Sequence, residues 1–457
     1  AYVQNPPEEI FVMRSTNLLD AADPANIKWQ MLPENVDHGV TCPEYYNCNK
    51  TVMEEGHFLP LTSVANRVVI MARTSMGYLA AATRDGSLQP VKGDDHTRVA
   101  RYWNNTVSGS TSGALLLPLS NVTTQDGARV LRSGVKHPRG PFTPKQLSPG
   151  VWLMLYYNNG GGGWYGRDPY FLACGREVDG TFGPLGLPEI LWSQPEIVLY
   201  DREYRGGTSG GGYPDFIFVS SEDEGTGNVT TEVHISAAQK GLPQPAKSRS
   251  YLSQVDPMLI QGLLSQHTAA GQPKGRVPLI SVDATNMNTP LQRPELPATG
   301  NAPLTARQGF SIVFLLNGHH AHAKPGDTIF QGEYMNLGVG CGQGGLGLNF
   351  SYIDGRGGSF NGGTGPMCTG LLVQDGTHHV SIVADGGPNI VSFVIDGIYC
   401  DGSWSFLPEA GMSEIPATAF TVHSRDNAHY GAAVTKLDVY GVALRTSESV
   451  AMYRDTL

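Results

Sequence analysis

A few carboxyl groups have surroundings that favour acid–base chemistry. Glu196 and Asp215 lie in aromatic, proline-punctuated strand ends. Such a setting desolvates a carboxyl group and raises its pKa toward the range of a general acid. We predict catalytic roles for Glu196, Asp215 and Asp168, with Glu55 as a further acidic candidate near the substrate. Asp168 and Asp215 adjoin prolines and could equally cap turns. Tyr213 is the best candidate for a reactive hydroxyl, although tyrosines in strands are also common in cores.

Three arginines stand beside a proline, a glycine or a strand end: Arg73, Arg139 and Arg167. The planar guanidinium group binds a carboxylate through two parallel hydrogen bonds. These side chains are therefore candidates for binding substrate, and the resemblance described below implies that the group they bind is a carboxylate. The alternative for each is a salt bridge that ties one sheet to the next.

The first half of the sequence also carries three histidines next to charged residues: His57, His96 and His137. An imidazole can remove a proton next to a carboxylate when a cation neutralises the carboxylate. We predict a catalytic role for His137 and substrate contacts for His57 and His96. The alternative is that these histidines lie in surface loops.

Two other segments could bind ligands. The His319-His320-Ala321-His322 segment offers imidazoles to a transition metal, but it has no acidic or cysteine partner nearby, which favours an exposed turn. The glycines at 160–163 precede no Lys-Ser/Thr pair or helix, which argues against a phosphate-binding loop. Trp164 follows them and could stack on a sugar ring. We expect no required cofactor, and a structural Ca²⁺ is the one metal ion kept as an alternative.

The amino-acid composition indicates the fold class in which these side chains are positioned. The formal net charge of −10 argues against nucleic acid and anionic membranes as partners, since both attract a basic face. Charged residues make up only 16% of the chain, and glycine occurs 57 times. We therefore predict a turn-rich, all-β globular protein.

Short apolar runs separated by Gly, Pro and Asn recur from about residue 60 to 235, without helices between them. This pattern predicts strands of a sandwich, barrel or propeller. Residues 1–270 would hold about six propeller blades at roughly 45 residues each. The predicted strands are Arg67–Ala72, Gly77–Ala82, Val151–Tyr157, Glu196–Tyr200 and Asp215–Val219.

One helix is predicted after these strands, with Asp256 as its N-cap and Pro257 in its first turn. Its apolar face would combine Met258, Leu259, Leu263 and Leu264. Residues 271–306 are rich in proline and predict a linker with one strand, Val277–Val282. Residues 307–457 predict a β-sandwich. Its expected strands are Phe310–Leu316, Gly370–Val373, His379–Val383, Ile390–Ile395 and Ala433–Tyr440.

Several segments of the first half resemble the sialidase superfamily of β-propellers. Arg73–Tyr78 runs into Thr83–Ser87, an Asp-box-like turn that Ser221–Gly225 repeats. Both turns lack the terminal Thr-Trp of the family. The segments that resemble later blades are Lys136–Pro141, Gly166–Pro169, Trp192–Glu196 and Tyr213–Phe216.

The second half resembles a concanavalin A-like, laminin-G-like jelly roll. The resemblance rests on His379–Val383, Phe393–Gly397 and Leu437–Leu444, the last being similar to a closing strand before a short helix. A propeller followed by such a sandwich is an arrangement of secreted carbohydrate-active enzymes.

The resemblance implies an oligosaccharide or polysaccharide partner, and an acidic one, because sialidases hold the substrate carboxylate with arginines and use a Tyr–Glu pair as nucleophile. The reaction that it favours is hydrolysis, and the alternative reaction is β-elimination at a uronic acid. One departure keeps a third alternative open: Ala237 stands where relatives carry an acid, and the nearest acid is Glu232. The chain could therefore be a glycan-binding protein without activity.

Cysteines and glycosylation sequons favour an oxidising, secretory route. We expect a secreted, extracellular glycoprotein with a Cys42–Cys48 disulfide and, as a further candidate, a Cys341–Cys368 disulfide, whereas Cys174 is predicted to be a buried free thiol. The five N-x-S/T sequons lie at Asn49, Asn104, Asn121, Asn228 and Asn349.

Overall fold

The structure is a computed structural model. It describes residues 12–15, 17, 22–32, 53–62, 68–74, 78–82, 122–123, 129–130, 141–157, 169–178, 189–200, 213–222, 229–239, 249–268, 275–283, 304–305, 309–318, 328–331, 335–342, 345–353, 359–363, 376–388, 390–400, 414–415, 421–422 and 432–457.

The described elements are almost all strands. In chain order they are β1 Val12–Ser15, β2 Trp29–Leu32, β3 Met53–Pro60, β4 Val68–Thr74, β5 Tyr78–Ala82, β6 Val122–Thr123, β7 Arg129–Val130, β8 Thr143–Ser148, β9 Val151–Tyr157, β10 Tyr170–Val178, β11 Glu189–Trp192, β12 Glu196–Leu199, β13 Asp215–Glu222, β14 Val229–Gln239, β15 Arg249–Gln254, β16 Ile280–Asp283, β17 Leu304–Thr305, β18 Phe310–Gly318, β19 Thr328–Gln331, β20 Met335–Gly342, β21 Gly345–Ile353, β22 Ser359–Gly363, β23 Gly376–Asp385, β24 Ile390–Ile395, β25 Ile398–Cys400, β26 Glu414–Ile415, β27 Thr421–Val422 and β28 Ala432–Tyr440. The helices are a 3-10 turn at Pro24–Asn26, α1 at Pro257–Ser265 and α2 at Thr446–Asp455.

Three larger sheets make up the described part of the first half. They are β3-β4-β5, a five-stranded sheet in the order β11-β10-β9-β8 with β12 also paired to β10, and β13-β14-β15; β1-β2 and β6-β7 form two-stranded pairs. All of these pairings are antiparallel. The predicted all-β class is therefore confirmed. The ring of about six blades stays a prediction, since residues 83–121 and 131–140 lie outside the described part.

Two sheets dominate the second half. One has six strands in the order β16-β28-β18-β23-β24-β25, and the other has five in the order β22-β21-β20-β19-β27. Strand β16 comes from the proline-rich stretch predicted as a linker. It begins three residues later than expected and pairs with β28, with Ile280 opposite Val439. This stretch therefore supplies an edge strand to the six-stranded sheet. The predicted strand Gly370–Val373 lies outside the described residues.

The five-stranded sheet of the first half is buried on both faces. Side chains alternate along a strand, so Trp152, Met154 and Tyr156 of β9 face one apolar cluster, while Leu153 and Leu155 face another. The first cluster also contains Val394, Tyr399 and Val450 of the second half. This central sheet therefore joins the two halves of the chain.

Helix α1 begins as the sequence predicts. The Asp256 carboxylate accepts a hydrogen bond of 2.9 Å from the Met258 N–H, and Pro257 occupies the first turn. Leu263 is buried and Leu259 packs against the same core, as predicted. The prediction was wrong for Met258, which is exposed because its position in the first turn points away from the core.

The structure describes some of the cysteines and glycosylation sequons. Cys174 is a buried free thiol, as predicted, and Cys400 is in a disulfide bond. The Cys42–Cys48 pair and the sequons other than Asn349 lie outside the described residues. Among the described helices, none is long and apolar enough to cross a membrane.

Candidate functional site

Two predicted site residues, Asp215 of β13 and His57 of β3, lie near Lys145 of β8, a strand that contacts both of theirs, and a third, Tyr213, precedes Asp215 by two residues. Tyr213 and Asp215 are two residues apart in extended chain, so their side chains lie on one face, whereas Phe216 points into the core. Tyr213 is 52% exposed. The side chain of Asp215 is 60% exposed. The predicted desolvation of Asp215 is therefore wrong: strand alternation buries its aromatic neighbour and leaves the carboxylate in water.

Lys145 of β8 binds this carboxylate. Its Nζ lies 2.7 Å from Asp215 Oδ1 and donates a hydrogen bond to the Phe216 carbonyl oxygen. The ammonium group also lies 5.3 Å from the Phe216 ring centroid, within the range of a cation–π interaction. Beside it, Thr143 Oγ1 donates a 3.0 Å hydrogen bond to the Pro214 carbonyl. These contacts fix Lys145 and Asp215 relative to each other.

His57 of β3 completes the group. Its ring centroid lies 4.8 Å from that of Phe142, and the imidazole hydrogen-bonds the Phe142 backbone. Burial lowers the pKa of His57; the Phe142 hydrogen bond and the charge of Asp215 act in the opposite direction, and Lys145 adds to the lowering. The net effect favours a neutral imidazole at pH 7, which is the form that can accept a proton.

Strand β14 pairs with β13, the strand that carries Asp215. Ser236 pairs directly with Asp215, and His234 Nε2 lies 2.8 Å from Glu232 Oε2. Glu232 is four residues from Ser236, a separation of roughly 13 Å along a strand. The Glu232 carboxylate contacts His234, and no described contact brings it to Asp215.

Ala237, which stands where the sialidase resemblance led us to expect an acid, faces the core. It is buried in the cluster that contains Phe216 and Ile235. In this chain the position contributes to packing behind the site.

Glu196 has different neighbours. It is 3% exposed, and its carboxylate accepts hydrogen bonds from the N–H groups of Thr446 and Ser447 at the start of α2. Burial raises the pKa of Glu196, as the sequence predicts, while these N–H groups act in the opposite direction. Both oxygens are thus engaged by backbone, and the structure does not bring Glu196 together with the Lys145–Asp215 pair through any described contact.

The remaining predicted residues are only partly described. Arg73 lies on β4, where its backbone pairs with Glu54 and Tyr78, and Glu55 lies within β3. Six predicted site residues lie outside the described residues: His96, His137, Arg139, Trp164, Arg167 and Asp168.

Lys145 is a site residue that the sequence alone does not predict. The segment Thr143–Ser148 has no run of apolar residues, so its pattern does not indicate a strand. Its partners on β13 lie far along the chain, and local patterns do not reveal such a pairing. The signal that the sequence offers is a lone lysine six residues before the apolar strand Val151–Tyr157.

No group of three or more His, Cys, Asp or Glu side chains arranged to hold a metal ion occurs in the part of the chain that the structure describes. The His319–His322 segment lies outside that part.

No protein-family model and no curated protein matches the chain. Among solved structures, the chain is similar to Trypanosoma rangeli sialidase in complex with sialic acid, with 12% identity and a TM-score of 0.28 over 95% of this chain and 65% of that one. It therefore spans less than two thirds of the sialidase.

The chain is also similar to the binding domains of two botulinum neurotoxins. For serotype C1 the identity is 11% and the TM-score 0.26, over 34% of this chain and 38% of that chain. For serotype G they are 10% and 0.26, over 56% and 47%. Similarities with TM-scores this low carry no argument about this chain.

Proposed function

We propose that the protein is a carbohydrate-active enzyme that cleaves a glycan at an acidic sugar, with its site at Tyr213, Asp215, Lys145 and His57. The observation that carries the proposal is the Lys145–Asp215 pair, with the exposed side chain of Tyr213 two residues before Asp215. An aromatic face binds the apolar side of a sugar ring, and a carboxylate accepts hydrogen bonds from its hydroxyl groups. The ammonium group of Lys145 adds a positive charge for a sugar carboxylate.

Hydrolysis is the first reaction considered. It requires one group that protonates the leaving oxygen and a second that stabilises or traps the positively charged sugar. We propose Asp215 for one of these roles. We propose Glu55 or Asp168 for the other, and Arg73, Arg139 and Arg167 as further contacts of the sugar carboxylate.

A β-elimination is the second candidate, and the state of His57 favours it. Lys145 would neutralise the uronate carboxylate while the acceptor nitrogen of His57 takes the C5 proton. The C5–H electrons would form the C4–C5 double bond as the C4–O bond breaks, and Tyr213 would give its hydroxyl proton to the leaving oxygen. The burial that lowers the pKa of His57 keeps the imidazole ready to accept a proton.

We propose with this function a fold made of a propeller of about six blades and a jelly-roll sandwich. We also propose that the protein acts outside the cell. The support is the sequence resemblance of the two halves, together with three blade-sized sheets in the first half and two large antiparallel sheets in the second.

The experiment is a screen of acidic glycans, namely polygalacturonate, alginate and a sialyl oligosaccharide, with the intact protein. New reducing ends without ultraviolet absorbance support hydrolysis, and the two together support β-elimination. Binding without either product supports a glycan-binding protein. The absence of both binding and products would contradict the proposal.

A further inference from the structure

Glu196 is part of the binding site for the last helix of the sequence. Its Oε1 accepts a 2.7 Å hydrogen bond from Ser447 N–H, and its Oε2 accepts a 3.0 Å hydrogen bond from Thr446 N–H. The first N–H groups of a helix have no partner within the helix, and the helix dipole favours an anion there. A buried carboxylate of the first half thus satisfies the N-terminus of α2.

Two ion pairs surround this contact. Arg445 Nη2 lies 2.6 Å from Asp256 Oδ2, and Arg276 Nε lies 2.7 Å from Glu448 Oε1. Glu448 also accepts a 2.8 Å hydrogen bond from the Arg445 N–H. Asp256 is the residue that caps α1, so one carboxylate contacts both helices.

The other end of α2 contacts the C-terminus of α1. The Arg454 guanidinium donates hydrogen bonds to the carbonyl oxygens of Ser265 and Gln266, where a cation is favoured by the dipole of α1. The helices approach closely at Gly262, where a Cβ atom would lie 2.5 Å from Ser447 Oγ. Both ends of α2 are therefore recognised by residues of the first half.

Gln194 makes a third connection between the halves. Its backbone N–H donates a 2.8 Å hydrogen bond to Gln266 Oε1, and its carbonyl oxygen accepts a 3.1 Å hydrogen bond from Gln266 Nε2. Its side-chain Oε1 accepts a 2.9 Å hydrogen bond from the Tyr399 N–H. Tyr399 lies on β25 of the six-stranded sheet. The segment between β11 and β12 thus makes hydrogen bonds both to the C-cap residue of α1 and to the second half of the chain.

We infer that α2 is a clasp that makes the five-stranded sheet of the first half and the six-stranded sheet of the second half one cooperative unit. The two sheets unfold together as long as Glu196 holds α2 in place. Lys145 lies on that same five-stranded sheet. In this account Glu196 is a positioning residue.

The test is amide hydrogen exchange of the full chain at increasing denaturant, followed in β9 and β24. In the unmodified protein we expect both strands to lose protection at the same denaturant concentration. In Glu196→Ala the two strands should separate, with β9 losing protection first, and Glu196→Gln should restore part of the coupling because its carbonyl oxygen accepts one of the two bonds.

Glu177→Ala is the matched control. Glu177 is another buried carboxylate of the same sheet, and it accepts hydrogen bonds from Thr62 N–H and Trp152 Nε1 within the first half. It should lower stability and leave β9 and β24 coupled. If Glu196→Ala fails to fold, Asp256→Asn, which weakens one ion pair, provides the milder variant. Separate unfolding in the unmodified protein, or unchanged coupling in the Glu196 and Asp256 variants, would overturn the inference.

Discussion

Lys145 Nζ and Asp215 Oδ1 lie 2.7 Å apart, and the same ammonium group stands over the ring of Phe216. The pair is thus supported from beneath by a buried ring and open to solvent above. Isolated exposed ion pairs contribute about 0–1 kcal/mol to stability. The contacts of Lys145 therefore matter more for the arrangement of charges at the site than for the stability of the fold.

Lys145→Ala should weaken binding of an acidic glycan about tenfold, or about 1.4 kcal/mol, because a partly exposed ammonium group contributes less than a buried one. Titration calorimetry with the glycan identified by the screen measures this change. Lys28→Ala is the control, since Lys28 is an exposed lysine far along the chain from β8. Equal affinities of the two variants would show that Lys145 does not contact the ligand.

Tyr213→Ala should lower glycan affinity about three- to tenfold through the loss of stacking, whereas Tyr213→Phe should bind normally and lose only a step that needs the hydroxyl. Affinity and product formation are measured side by side. Trp29→Ala is the matched control, because Trp29 is 54% exposed on β2. An unchanged affinity in Tyr213→Ala would remove the ring from the site.

The sequence predicted regular elements better than it predicted their partners. Strands β9 and β24 were predicted to the residue, since unbroken apolar runs mark them, and the Asp256-Pro257 pair marked the start of α1. The role of Glu196 could not be predicted because its partners, Thr446 and Ser447, lie about 250 residues further along the chain. The local pattern predicted the burial of Glu196 correctly and that of Asp215 wrongly, and it does not identify the group that faces either carboxylate.

The free energy of unfolding should fall as the pH is lowered from about 6.5 toward 4. Burial lowers the pKa of His267 and His379 to about 4, so the unfolded chain takes up protons in this range that the folded chain does not. Each histidine can account for up to roughly 3 kcal/mol. Glu196 acts in the opposite sense, because burial raises its pKa.

Comparison with His379→Gln isolates the histidine contribution, since Glu196 is common to both proteins. Urea unfolding at about pH 7 and about pH 4.5 should show a smaller loss of stability in the variant. A loss of the same size in both proteins would exclude His379 as a cause.

Gly175→Ala should destabilise the central sheet by about 1–3 kcal/mol through overpacking. A Cβ atom at this position would lie 2.5 Å from Ile190 Cγ2 and 2.7 Å from the Trp192 ring. Thermal unfolding followed by tryptophan fluorescence measures the change. Gly275→Ala, where a Cβ atom meets nothing within 4 Å, should leave the melting temperature almost unchanged. The account of the packing fails if both variants melt at the same temperature.

The most direct measurement of the central claim is a structure of the protein with an acidic oligosaccharide bound. We expect a sugar ring on Tyr213, its carboxylate within hydrogen-bond distance of Lys145 Nζ and a hydroxyl group on Asp215. An oligosaccharide bound instead to the sheets of the second half, with the Tyr213–Asp215 face empty, would contradict it.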